Sequence, residues 1–281
     1  MTTGSKPLVL KSVAEFRAWR RTVGENSTVG FVPTMGALHA GHEKLLDELR
    51  ARTTHSVLSI FVNPTQFGPN EDFAKYPRTF ENDLEAAAQH RVHAVFAPSP
   101  EEMYPRGFST SVEESELSAP LCGPFRPGHF RGVATVVLKL FHIVQPRVAL
   151  FGLKDAQQFL VLKKMCRDLS LDLEIEGIPT VREEDGLALS SRNRYLSSEE
   201  RAIAPLLYAT LKACAMEIEA ERGSPLPALN RAARTLTDAG FTVQYLETMP
   251  THDLIAGVNT VLATACFLGK TRLIDNVLLA R

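Results

Sequence analysis

Short apolar runs rich in β-branched and aromatic residues alternate with stretches of helical periodicity through the first two thirds of the chain. No other feature limits the fold as strongly. The runs span residues 29–33, 57–62, 94–97, 148–151 and 173–178, and most stop at Pro, Gly or Asn. Runs this short and this apolar read as strands buried on both faces, the mark of a parallel sheet. Between them, 38–52 places Leu45, Leu46 and Leu49 on one helical face, and 79–90 does the same with Phe80, Leu84, Ala87 and Ala88. Residues 133–144 are apolar nearly all round and read as a buried helix, and 157–169 gives another. The alternation predicts an α/β domain, a Rossmann-like doubly wound parallel sheet.

The pattern changes near 180–184. Residues 199–221 read as one long helix, with Ala204, Leu207, Leu211 and Ala215 at helical spacing, and 226–239 as a second helix closed by Gly240. Strand-like runs follow at 242–247, 260–267 and 271–277. This predicts two domains, 1–182 and a smaller α+β domain over 183–281.

Composition excludes several classes. With 31 basic and 32 acidic residues among 281, the net charge is −1, and a nucleic-acid coat protein carries a basic excess. The first apolar run is too short for a signal peptide, and no stretch reaches the length that spans a membrane, so the expected setting is cytoplasmic. Cys122, Cys166, Cys214 and Cys266 are far apart and form no C-x-x-C pair, which argues against zinc or a disulfide framework. Cys122, in a Gly/Pro-rich stretch, is the one expected to be accessible.

Five segments carry chemistry. In Phe31-Val-Pro-Thr-Met-Gly-Ala-Leu-His-Ala-Gly-His42 a strand gives way to a small-residue turn and then a helix near His39. Ligands of parallel sheets sit beyond the strands' carboxyl ends, and a helix start there offers backbone N–H groups and a favourable dipole to phosphate. His39 and His42 share one face of the first turn, and Gly41 leaves room for close approach. Two surface or capping histidines would look the same in isolation; the strand–turn–helix setting favours the phosphate site. It is neither a Walker A loop nor a G-x-G-x-x-G fingerprint.

The segment 59–70 ends another strand and places Asn63 and Gln66 in the following loop, where amides can orient a substrate. In 150–158, Lys154 and Asp155 come just after a strand, with Gln158 one helical turn further. Lysine neutralises phosphate, and an aspartate can hold Mg²⁺ directly or through water. The polar stretch 180–194 offers Ser190, Ser191 and Arg192 as donors to a triphosphate, or else is a polar linker. The loop 121–132 holds Arg126, His129 and Arg131, which suits an anion without specifying one.

Taken together and in this order, the segments resemble the pantothenate synthetase (pantoate–β-alanine ligase) family, within the HIGH-motif nucleotidyltransferases. The resemblance rests on Pro-Thr-Met-Gly-Ala-Leu-His-x-Gly-His, Phe-Val-Asn-Pro-x-Gln-Phe and Leu-Ser-Ser-Arg-Asn, and returns weakly at Thr271-Arg-Leu-Ile-Asp-Asn276. It implies a nucleotide domain followed by a lid, and a two-step reaction. Pantoate attacks the α-phosphate of MgATP, giving pantoyl adenylate and pyrophosphate; β-alanine then displaces AMP. It implies that ATP meets Met35, Gly36, Ala37, Leu38, His39, Ala40, Gly41 and His42, then Gly152, Leu153, Lys154 and Asp155, then Val181, Leu189, Ser190, Ser191 and Arg192. His42, His39, Lys154 and Arg192 would act on the phosphates, and Gln66, Gln158 and Asn63 on pantoate and β-alanine. No protein ligand is assigned to the metal, which would travel with ATP near Asp155. Ala40 and Leu153 stand where the family often has Glu. The resemblance also implies a homodimer, with no nucleic-acid or membrane partner. The competing readings are another HIGH-class nucleotidyltransferase and a non-catalytic nucleotide- or RNA-binding module.

Overall fold

The computed structural model describes residues 6–69, 71–221 and 223–280. Asn70, at the end of the second chemical segment, and the first five residues lie outside that set. The chain divides into two compact units. One comprises residues up to Glu114, Pro127–Gly152 and Val161–Ile178; the other comprises Ser115–Arg126, Leu153–Leu160 and the chain from Pro179 on.

The first unit is a six-stranded parallel sheet with helices. Its strands are β1 (Leu8–Leu10), β2 (Val29–Thr34), β3 (His55–Ile60), β4 (Ala94–Phe96), β5 (Val148–Gly152) and β6 (Glu174–Ile178). Its helices are α1 (Val13–Thr22), α2 (Ala40–Arg52), α3 (Phe80–Gln89), α4 (Pro100–Met103) and α5 (His129–Val144); α6 (Ala156–Asp168) begins in the second unit and continues into this one. The strand order is β1-β4-β3-β2-β5-β6. Strand β2 is the pivot. It pairs with β3 along its whole length and with β5 at Gly30↔Val148 and Phe31↔Ala149. From β2 the order runs outward to β3 on one side and β5 on the other, so the topological switch point lies between β2 and β5.

The expected buried strands form. Phe31, Val57, Leu58, Phe96 and Leu150 are fully buried, as both-face burial requires. Strand β1 and helix α1 went unread, although α1 announces itself with a capping box: Glu15 N–H donates to Ser12 Oγ at 3.1 Å, and Ser12 N–H donates to Glu15 Oε2 at 3.1 Å. Helix α5 starts four residues earlier than its apolar pattern, directly after Gly128 turns the chain at φ +79°.

In the second unit, α7 (Ser198–Ile203), α8 (Leu206–Ala220) and α9 (Leu226–Asp238) precede an antiparallel sheet of β7 (Phe241–Ile255), β8 (Val258–Leu268) and β9 (Thr271–Leu279). The expected single helix over 199–221 is two helices. Pro205 intervenes, and proline supplies no N–H for the ladder and collides with the preceding turn. Strand β7 runs well past the expected 247 and contains Pro250, which it tolerates as an edge strand paired only to β8. Leu211, Cys214 and Ile218 of α8 pack with Leu229 of α9 and with Leu246 and Leu262 of the sheet.

All four cysteines are free and buried, including Cys122, whose Gly/Pro-rich setting suggested access. Burial pushes the Cys166 and Cys266 thiols up to about 12 and that of Cys214 up to about 11. Since the thiolate is the reactive form, an aromatic disulfide reagent at pH 8 should modify none of the four within minutes. All four should react once guanidinium unfolds the chain.

Candidate active site

At the carboxyl end of β2 the chain enters the turn holding Met35 to Leu38. Gly36 and Ala37 both take positive φ, +79° and +52°. For alanine that conformation is strained, and a side chain from α3 holds it. Asp83, 2% exposed, accepts the Ala37 N–H on Oδ2 at 3.0 Å and the Leu38 N–H on Oδ1 at 2.8 Å. Successive N–H groups in such a turn make an anion-binding concavity. Here the anion is the protein's own carboxylate.

The helix start is likewise arranged from within. His39 is the N-cap of α2, its Nδ1 accepting the Gly41 N–H at 3.1 Å. The His42 and Glu43 N–H groups both donate to the His39 carbonyl, at 2.7 and 3.1 Å. The helix therefore does not offer the row of open amides expected from its position. Donors to an anion at this corner are chiefly the imidazoles, backed by the helix dipole. In the neutral ring, an accepting Nδ1 leaves the His39 proton on Nε2. The His39 and His42 rings lie 4.1 Å apart between centroids, tilted by 39°. Gly41 also makes room for the capping ring: a Cβ there would sit 2.9 Å from His39 Cε1.

Beside β2, the end of β3 leads to a 3-10 turn, Pro64–Gln66, capped by Asn63. Asn63 is 1% exposed and its amide is fixed at both ends. Its Oδ1 accepts from the Tyr104 hydroxyl at 2.8 Å and the Thr65 hydroxyl at 2.9 Å. Its Nδ2 donates to the Gly132 carbonyl at 3.2 Å and to Gln66 Oε1 at 3.0 Å. Gln66 is thereby oriented with its carbonyl end bound and its NH₂ end turned toward Met35 Sδ, 3.3 Å away. His129 closes the network, its Nδ1 lying 2.8 Å from the Gln66 carbonyl. Its place in a Gly/Pro/Arg loop suggested anion binding; instead it is buried at the start of α5 and holds the Gln66 backbone.

The remaining segments lie in the second unit, apart from Gly152, which ends β5. A 3-10 turn, Leu153–Asp155, follows it directly and carries Lys154 into α6. Leu153 is buried, which suits leucine, and Asp155 is exposed. Gln157, which the sequence did not mark, is the buried glutamine here. Its Nε2 donates to the carbonyls of Leu117 at 2.9 Å and Pro120 at 2.7 Å, and its Oε1 accepts the Cys122 N–H at 3.1 Å. Gln158 next to it is half-buried. The stretch 181–189 is a small hairpin rather than a polar linker: Leu189 N–H donates to the Val181 carbonyl at 3.0 Å, and Arg182 bridges to Ala188. It leads into the 3-10 turn Ser191–Tyr195, capped by Ser190 Oγ, which accepts the Arg192 N–H at 3.2 Å. Accepting that bond leaves the Ser190 hydroxyl able to donate.

A family model for pantoate-beta-alanine ligase matches residues 8–278. The chain belongs to the pantoate–β-alanine ligase family. The pantothenate synthetase of Shewanella amazonensis is 51% identical over 274 residues, 95% of this chain and 96% of that one. That of Thermosipho africanus is 48% identical over 276 residues, 96% and 99% of the two chains. The crystal structure of pantothenate synthetase from Thermus thermophilus matches with a TM-score of 0.87 at 46% identity, covering 96% of this chain and 98% of that one. The Francisella tularensis pantoate-beta-alanine ligase, crystallised with beta-gamma ATP and beta-alanine, matches with a TM-score of 0.84 at 35% identity and 97% coverage of both chains.

With the family comes the reaction class, a ligase, which sets aside the cytidylyltransferase-like and non-catalytic readings. For a pantoate–β-alanine ligase, the residues that sequence reasoning missed are those that aim others: Asp83, Tyr104, Gly132 and Gln157. Asp83 and Tyr104 lie outside the five segments, and Gly132 and Gln157 lie within two of them at positions given no role. Gly132 admits a close backbone contact. A Cβ there would come 2.6 Å from the Thr65 carbonyl carbon and 2.8 Å from Gln66 N, and neither backbone atom can swing away. Gly132→Ala should therefore destabilise the chain by about 1–3 kcal/mol, the usual cost of overpacking, read as a lower urea midpoint at unchanged m-value.

Proposed function

We propose that the chain condenses pantoate with β-alanine in two steps, through a pantoyl adenylate, consuming ATP and releasing pyrophosphate and then AMP. The observation that carries this reading is the stacked His39–His42 pair at the carboxyl edge of β2, next to the switch point, with the NH₂ end of Gln66 turned toward the same turn. The Francisella relative, crystallised with an ATP compound and β-alanine, supports the same substrates here. Adenylation answers a chemical need: a carboxylate is a poor electrophile, and AMP leaves readily from the mixed anhydride.

The roles follow from the donors each residue carries. Gln66, with its carbonyl end occupied by Asn63, presents N–H donors and so suits the carboxylate of pantoate or β-alanine. Gln158 holds pantoate with it. A neutral amide orients an acid without neutralising it, so the carboxylate remains a nucleophile toward the α-phosphate. His42 stabilises the charge that builds on the pentacoordinate phosphorus, and His39 contacts phosphate through Nε2–H. Lys154, Ser190, Ser191 and Arg192 take the triphosphate. Met35, Gly36, Ala37, Leu38, Ala40 and Gly41 line the nucleotide by shape, and so do Gly152, Leu153, Val181 and Leu189. The turn amides of Ala37 and Leu38 are already taken by Asp83, so these two residues contribute no phosphate donor.

Mg²⁺ would arrive with ATP. Among the described residues no group of three or more His, Cys, Asp or Glu side chains is placed to cage a metal. Magnesium needs none, since it commonly keeps water and binds substrate phosphates with one or two carboxylates. The exposed Asp155 fits that part and would lend the ion one oxygen. No described helix is long and apolar enough to cross a membrane. We place the enzyme in the cytoplasm as a homodimer, with 1–182 forming the nucleotide and pantoate domain and 183–281 the lid.

Exchange of labelled pyrophosphate into ATP tests the adenylate directly. It should run with pantoate present and β-alanine absent, and stop without pantoate. Exchange that needs both substrates, or none at all, would rule the two-step order out. In the same assay His42→Ala should slow exchange by about two to three orders of magnitude, the cost of one preorganised donor to developing charge. An unchanged rate would remove His42 from the chemistry.

A further inference from the structure

The sequence singles out 271–276, yet no role above uses it. The segment lies on β9 and ends in two buried polar residues, Asp275 at 2% and Asn276 at 7% exposure. Buried polar groups are costly unless bonded, so the partners of these two are informative. Asn276 Nδ2 donates to two successive main-chain carbonyls, Leu153 at 2.8 Å and Lys154 at 2.9 Å. Asp275 receives the Arg182 guanidinium on both carboxylate oxygens, at 2.7 and 2.9 Å. Arg182 also donates to the Gly186 carbonyl at 3.1 Å and lies over the Tyr208 ring, 3.3 Å from its centroid. Neighbouring residues on a strand point to opposite faces, so one dipeptide reaches two segments at once.

Those two segments are the turn 153–155 and the hairpin 181–189, which leads into Ser190, Ser191 and Arg192. We propose that Asp275 and Asn276 are positioning residues that hold both nucleotide-contacting segments of the second unit to one strand, and so set the affinity for ATP. The proposal rests on the reading of Lys154 and 190–192 as triphosphate contacts. Fixing the Leu153 and Lys154 carbonyls fixes the peptide planes on either side of the Lys154 Cα and limits the arc of its ammonium. The bidentate Arg182–Asp275 pair clamps one arm of the hairpin in the same way. The backbone of β9 is matched to β8 from Thr271 to Leu279 without the Asn276 side chain, while Asp275 Oδ1 also accepts the Asn276 N–H at 2.8 Å. Helix α6, which carries Gln158, is held separately through Gln157 to 117–122. Arg272 of β9 reaches Cys122 Sγ at 3.8 Å, but Asp275 and Asn276 take no part in that anchor, so pantoate handling should be insensitive to changes at these two residues.

Calorimetric titration of the full-length chain with MgATP alone, beside steady-state kinetics with pantoate varied, separates the two. Asn276→Ala should weaken MgATP binding about tenfold, the effect of one or two lost hydrogen bonds, while KM for pantoate stays within about twofold. Asn276→Asp, the same shape with an acceptor facing two acceptors, should weaken it at least as much. Asp275→Asn should act through the hairpin in the same direction; if it fails to fold, Arg182→Lys keeps the charge and removes the two-pronged geometry. Unchanged MgATP affinity in a folded Asn276→Ala chain, with wild-type pyrophosphate exchange normal, overturns this proposal and leaves the function standing. Equal losses for ATP and pantoate also overturn it, because they signify general loosening. A wild-type chain that binds no MgATP overturns both.

Discussion

Everything at the first unit's catalytic edge depends on β2 being hydrogen-bonded on both sides. Parallel pairing to β3 and to β5 brings the carboxyl ends of three strands into one row. From those ends issue the histidine turn, the Gln66 turn and the chain into Lys154. A parallel sheet makes this possible because every strand ends on the same edge, and the reversal of order beside β2 opens that edge where the outgoing loops diverge. The burial of Phe31, Val57 and Leu150 on both faces is what keeps the row rigid. The chemistry is delegated to short turns whose strand ends cannot drift.

Rigidity alone does not decide what the edge binds. A turn of successive positive-φ residues followed by a helix start is, in general, a phosphate cradle. In this chain its amides are occupied internally, by Asp83, by the His39 ring and by the His39 carbonyl. The consequence is a shift of labour from backbone to side chain. On the proposed reading the imidazoles, fixed at the start of α2, are the preorganised donors to charge that develops at phosphorus.

How much of this the sequence disclosed follows from the kind of signal each element leaves. Five of the six strands in the first sheet were readable as apolar runs; β1, an edge strand with Leu8 exposed, went unread although the fully buried β4 is equally short. The helix over 199–221 was misread as continuous because apolar spacing persists across Pro205, and periodicity outvoted the one residue that stops a helix. Residues suited to meet substrate are confined by chemistry to few types and sit in motifs, so His39, His42, Gln66, Lys154 and Arg192 can be proposed from the sequence. The residues that aim them are confined only by geometry. Nothing in the letters around Asp83 says that a carboxylate on α3 closes a turn 46 positions earlier. Nor does Gly132 announce that its missing side chain is the space occupied by Thr65 and Gln66.

The two glutamine positions show the same division more sharply. Gln157 and Gln158 are chemically identical neighbours, one helical step of about 100° apart. The first turns inward, where three backbone partners satisfy every need of its amide. The second is left half-buried, able to bond outward. A sequence motif can mark the pair but not the rotation that buries one amide and leaves the other half-buried. On the other unit Asn63 and Gln66 repeat the arrangement across three residues: the buried amide saturates itself on protein and hands its neighbour a defined donor end. The buried amide of Asn63 is held by two hydroxyls, a backbone carbonyl and the Gln66 amide, and that of Gln157 by backbone alone. On the proposed reading, a carboxylate bound by a neutral amide keeps its charge, as attack on the α-phosphate would require.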